Sequence, residues 1–233
     1  MAMRRFVLSG VLTIMFVFVA ACGGGDDGGE PTDTAQETTS PEGTPALEGA
    51  AREVSELLAE GITATFKVKY ETASPDGAQG DTFVVYNKPP DTRIDTLSAN
   101  GAESDSAIIG GDESTETYGC TGGPDAWSCE SIAPLGDSLL TAAGPVAYLQ
   151  PSDLELFDIS ETEDRTVADQ STRCFALTPR EGTATEAGEY CFNSEGVPLY
   201  VQTSSETVEA SEFSTDVSDQ DFEPPVAPAT PAQ

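Results

Sequence analysis

From Ile62 to Glu71 every even position is apolar (Ile62, Ala64, Phe66, Val68, Tyr70) and every odd one polar (Thr63, Thr65, Lys67, Lys69, Glu71). A period of two over ten residues is the pattern of a strand with one wet face and one dry face. A dry face requires a cover, so this strand belongs to a sheet packed against other elements.

The segments around it supply both sheet and cover. Upstream, Ala46 to Gly61 places Leu47, Ala51, Val54, Leu57 and Leu58 at helical spacing, with Pro45 suited to its start and Gly61 to its end. Downstream, Asp76-Gly77 marks a turn and Phe83 to Tyr86 reads as the next strand. Pro89-Pro90 turns the chain again into Thr92 to Leu97. Ala107 to Gly110, Thr115 to Cys120 and Trp127 to Glu130 continue the meander. A second helix is expected over Asp137 to Gln150, apolar around much of its circumference and interrupted by Gly144-Pro145. Strands resume at Leu154 to Ile159, Arg173 to Thr178, Glu189 to Asn193, Val197 to Thr203 and Thr207 to Val217, with Asn193 to Gly196 as a short hairpin turn.

The ends read differently. Met1 to Arg5 is basic, Phe6 to Val19 almost wholly apolar, and Val19-Ala20-Ala21-Cys22 closes with small residues before a cysteine. That is a signal-peptide layout too short for a membrane span. Its end resembles the bacterial lipobox, which implies cleavage before Cys22 and alkylation of the Cys22 sulfur by diacylglycerol, with further acylation holding the chain stably to a membrane. Residues 22–46 then read as the lipidated cysteine and a disordered Gly-, Pro-, Thr- and acid-rich tether, spanning roughly 27 Å as a flexible coil. Residues 47–223 form one folded domain, and the proline-rich 224–233 a disordered tail.

Charge excludes partners. The chain has 41 acidic and 10 basic residues, a balance of −31. Residues 1–21 carry two arginines and no acid, so without them the balance is −33. Such a surface repels phosphate backbones and excludes nucleic acid as a partner. It suits a salty environment, where screening relieves self-repulsion.

There is no histidine, which removes Ser-His and Cys-His catalytic pairs and histidine-ligated zinc. No nucleophile elbow, phosphate loop or dinucleotide fingerprint is present. The acids Asp153, Glu155, Asp158, Glu161, Glu163 and Asp164 lack the spacing and aromatic platform of a glycosidase. Asp216, Asp219, Asp221 and Glu223 lack the glycine of a calcium loop and read as a solvated strand end. A binding protein, without cofactor or metal and not an enzyme, is the expectation.

Four cysteines follow Cys22. Cys120 and Cys129 bracket the reversal Gly122-Gly123-Pro124-Asp125, and Cys174 and Cys191 lie on consecutive strands. In an exported protein the simplest of the three possible connectivities pairs Cys120 with Cys129 and Cys174 with Cys191.

The order of elements, together with Arg165 to Gln170, Cys174 to Leu177, Tyr190 to Leu199 and Val217 to Pro225, resembles the LolA, LolB and LppX/LprG group of extracytoplasmic lipoprotein and lipid carriers. The glycine usual in that group's turn is Asp169 here. The resemblance implies an α+β fold, an incomplete antiparallel β-barrel (half-barrel) packed on helices, with an apolar cavity accepting acyl chains. Its lining would come from Phe66, Val68, Tyr70, Val85, Ile94, Ile109, Leu139, Leu140, Leu199 and Val201. Read from residues alone, that dry face is more simply an ordinary core filled by packed helices; the resemblance brings the cavity level with it. The expected protein is a membrane-anchored, extracytoplasmic monomer that binds lipid. The alternative is a protein-interaction or envelope-sensor module on the same fold.

Overall fold

A computed structural model describes residues 47–97, 104–111, 116–123, 126–133, 149–183 and 185–229. The described residues lie within one compact unit. The segments expected to be a signal peptide and a tether, together with Cys22, Leu139 and Leu140, lie outside them.

The helix read from the sequence forms as α1, Ala50–Thr63, burying Val54 and Leu58. It runs two residues beyond Gly61, so the strand expected from Ile62 begins only at Phe66. Ile62, even-numbered and apolar, is helical and 52% exposed. The junction is held from across the sheet: the Asn87 side-chain amide donates to the carbonyls of Ile62 at 3.3 Å and Ala64 at 2.7 Å. Local alternation loses here to helix propagation and this bridge.

Twelve strands follow: β1 Phe66–Ala73, β2 Gln79–Lys88, β3 Asp91–Leu97, β4 Ser104–Gly110, β5 Thr117–Thr121, β6 Ser128–Ile132, β7 Phe157–Glu161, β8 Arg165–Val167, β9 Gln170–Pro179, β10 Gly188–Phe192, β11 Pro198–Thr203 and β12 Thr207–Ser214. They make one open antiparallel sheet, ordered β6-β5-β4-β3-β2-β1-β12-β11-β10-β9-β7, with β8 paired to β9. β1 is central, between β2 and β12. From Phe66 the predicted alternation holds, with Phe66, Val68 and Tyr70 buried and Glu71 exposed.

The turns follow from their residues. Asp76 Oδ1 accepts from the Ser74 hydroxyl and the Ala78 N–H, and Gly77 takes φ 81°. These donors hold the exposed Asp76 carboxyl below its ordinary pKa. Ala168 and Asp169 both adopt positive φ, 47° and 61°, so Asp169 occupies the left-handed position without a glycine. Asn193 Oδ1 accepts from the N–H groups of Glu195 and Val197 and closes the β10–β11 hairpin. The Pro89-Pro90 peptide between β2 and β3 is cis.

Two expected strands shift. Leu154–Leu156 belongs to a 3₁₀ turn, Pro151–Leu156, and β7 starts at Phe157. Pro151 lacks an N–H, and Asp153 accepts from the Gln150 N–H at 3.0 Å, which together start a helical turn. β12 ends at Ser214, and Asp219–Phe222 forms a second 3₁₀ turn with Ser218 as its cap. The acids there are therefore not a strand end. Of the helix expected over 137–150, only Leu149 and Gln150 are described, and neither is helical.

The main core lies where α1 meets the sheet, joining Val54 and Leu58 to side chains from β1, β2, β3 and β7–β12. Arg173 of β9 makes an ion pair with Glu53 of α1. Cys120–Cys129 and Cys174–Cys191 are disulfide-bonded, each pair directly opposite across adjacent strands.

Candidate binding site

Cross-strand register sorts the candidate residues onto two faces. In an antiparallel sheet directly paired residues share a face. Val68 pairs with Val85, Val85 with Ile94, and Ile94 with Ile108. Phe66 and Tyr70 share that face with Val68 by alternation. On the other side of β1, Tyr70 pairs with Ala210, and Val208 with Val201, which brings in Leu199 two residues away. Seven of the proposed lining residues, Phe66, Val68, Tyr70, Val85, Ile94, Leu199 and Val201, thus meet in the main core beneath α1.

These side chains are closed in by the protein itself, the most exposed, Ile94, retaining 5% of its surface. Tyr70 stacks on Phe83 with ring centroids 5.3 Å apart, and its hydroxyl donates to the Pro198 carbonyl at 2.8 Å. Complete burial pushes the Tyr70 phenol well above its ordinary pKa.

Ile109 is not with them. It pairs with Arg93 and Tyr118, and so faces the opposite side of the sheet from Ile94 and Ile108. There it joins Ala107 and the Cys120–Cys129 disulfide in a second apolar cluster, against which Tyr118, Trp127 and Phe222 pack.

That outer face carries residues that sequence reasoning missed. Lys67, Tyr86, Arg93, Ile109 and Tyr118 form one row across β1 to β5. The Lys67 ammonium and the Arg93 guanidinium sit 4.9 and 5.5 Å from the Tyr86 ring centre. Arg93 also grips buried Asp95, with Nε 2.6 Å from Oδ1, and donates to the Asp221 carbonyl at 2.9 Å. Lys88 makes an ion pair with Asp219. For Asp221, burial works against the charge, but donors from Ser218 and the nearby Lys67 and Arg93 outweigh it and hold the carboxyl below its ordinary value. The available signal was positional: all three lysines of the chain fall between residues 67 and 88.

Of the segment expected to be a tail, residues up to Ala229 are described. The Ala229 N–H donates to the Cys129 carbonyl at 2.9 Å, forming a single parallel bridge beside β6. Among the described residues no three His, Cys, Asp or Glu side chains gather in a metal-ligating group, and no helix is long and apolar enough to cross a membrane.

No family model and no curated protein sequence matches the chain. Solved structures do. The structure of MucB is similar with a TM-score of 0.53 and 18% identity, over 75% of this chain and 62% of that one. The Pseudomonas aeruginosa MucA/MucB complex gives 0.53 and 17%, over 76% of this chain and 61% of that one. The chain therefore spans about three fifths of the MucB chains it matches, and at this identity the likeness establishes a shared fold.

Proposed function

We propose that the protein is a lipid-anchored, extracytoplasmic binding module, not an enzyme, in which a LolA-like half-barrel grips a protein partner. The single observation that carries this reading is the closed inner face. A site ready for an acyl chain leaves its lining side chains accessible when empty, whereas Phe66, Val68, Tyr70, Val85, Leu199 and Val201 each keep 2% or less of their surface. Further support comes from the fold: MucB, of similar architecture, has been solved in complex with MucA. Anchoring rests on the lipobox-like sequence ending at Cys22, and export on that sequence together with the two disulfides.

A second reading, carriage of an acyl chain, is favoured by one observation. Leu149, the last residue of the apolar stretch that begins at Leu139, is buried against the same cluster as Phe66 and Leu199.

The test is photo-crosslinking of the full chain in its host membrane, with the crosslinking residue placed in turn at Glu71, Glu209 and Glu212, all exposed on the central strands. The expected result is a covalent adduct to one polypeptide of reproducible mass. Adducts confined to phospholipid would contradict the protein-binding reading.

A further inference from the structure

The basic residues are unevenly spent. In a chain of net charge −31 the three lysines, Lys67, Lys69 and Lys88, all lie on β1 and β2. Their inward neighbours Phe66, Val68, Tyr70 and Asn87 are buried, so alternation sends all three lysines outward. Arg93 joins them through its pairing with Tyr86. Scattered lysines would serve solubility; here Lys67 and Arg93 flank the Tyr86 ring, Lys88 lies two residues along the same strand, and Lys69 is taken by Glu212, which leaves a surface for anions around Tyr86.

The chain itself shows what that surface accepts. The turn Asp219–Phe222 lies over it, with Asp219 on Lys88 and the Asp221 carbonyl on Arg93. Phe222 packs onto the apolar end of the same face, against the Ala107, Ile109 and Cys120–Cys129 cluster. Acid and aromatic are thus read by adjacent parts of one row.

This occupant is lightly held. No residue of the turn is buried, and Asp219 is 92% exposed. An exposed ion pair contributes little. Beyond Phe222, the Ala229 bridge is one backbone hydrogen bond.

We infer that the outer row Lys67-Tyr86-Arg93-Ile109, with Lys88, is a docking site for an acidic, aromatic-bearing peptide segment of a partner protein, and that residues 218–223 are a built-in occupant which the partner displaces. This rests on the protein-binding reading above and names the surface and the partner's chemistry.

The test uses the full chain and a fluorescein-labelled peptide with the sequence of residues 217–224, followed by anisotropy. In the wild type the tethered segment competes at an effective concentration on the order of millimolar, so the peptide binds weakly. The Asp219→Ala/Phe222→Ala variant, which frees the site, binds it at least about tenfold more tightly. Adding Lys88→Ala reverses most of that gain, and a peptide with both aspartates replaced by asparagine does not compete. Asp219→Lys, a change at an exposed position, gives the same direction and guards against misfolding of the double variant.

Equal binding by wild type and both released variants overturns the inference. So does equal binding of the asparagine peptide, a preference for phosphatidylglycerol vesicles over the peptide, or formation of a strand-exchanged dimer in place of peptide binding. If the peptide fails while crosslinking captures a protein partner, only this site falls. Tight peptide binding without a crosslinked partner upholds the site and removes the central-strand contact.

Discussion

Gly61 of α1 and Gly196 of the β10–β11 turn meet backbone to backbone, so a Cβ on either would overlap the other's main chain or the Leu57 carbonyl. Gly196 also takes φ 74°, the left-handed region. This contact seats the helix on the sheet. Gly196→Ala is expected to lose about 3 kcal/mol, combining the conformational cost with a clash that only helix movement relieves. Gly61→Ala, free of the φ cost, should lose less. Urea unfolding of both variants checks the order.

The two disulfides should separate in their effects. Removing Cys174–Cys191, 17 residues apart in sequence, is expected to cost about 3 kcal/mol, and removing Cys120–Cys129, 9 apart, slightly less. Only the second should alter the fluorescence of Trp127, which packs on that cluster. Paired Cys→Ala variants, followed by urea midpoint and emission spectrum, decide the point.

Tyr70 sets an alkaline limit. The unfolded chain releases this phenol proton near pH 10, while burial in the fold holds it to far higher pH. The folded state therefore binds more protons above pH 10, and stability falls as pH rises through that window. Tyr70→Phe should flatten the decline, at a cost near neutral pH of about 1–2 kcal/mol for the unpaired Pro198 carbonyl. Urea midpoints between pH 8 and 11 measure both effects.

Asp221 works in the opposite direction. Its folded pKa is below the ordinary 3.8, so its contribution is present above that value and is lost as pH falls through the folded one. The Asp219–Phe222 turn should loosen in acid below about pH 4, before the main core. Because Phe222 and Trp127 pack on the same cluster, Trp127 emission should report this early step, and Asp221→Asn should remove it.

How much of this was legible in the sequence depends on how many faces each segment covers. Phe66 to Glu71 has one buried face, and its alternation is plain. Ile108 and Ile109 are adjacent, with apolar packing on both faces of β4, and periodicity alone could not say which pointed inward. Ile109 faces outward because Phe222, more than a hundred residues on, returns to cover that side, and nothing local to β4 reveals it. Gly61 follows the same logic: its role is contact with Gly196, 135 positions away, and not termination of the helix. The cysteine pairs were readable because each flanks a local reversal.

Native mass spectrometry of the intact chain extracted from its membrane tests the central claim most directly. The account predicts the lipidated polypeptide bound to a second polypeptide, with no additional lipid retained once detergent is stripped. A stoichiometric non-covalent acyl lipid, retained through activation that releases every protein partner, would show that the inner face opens to lipid and would contradict it.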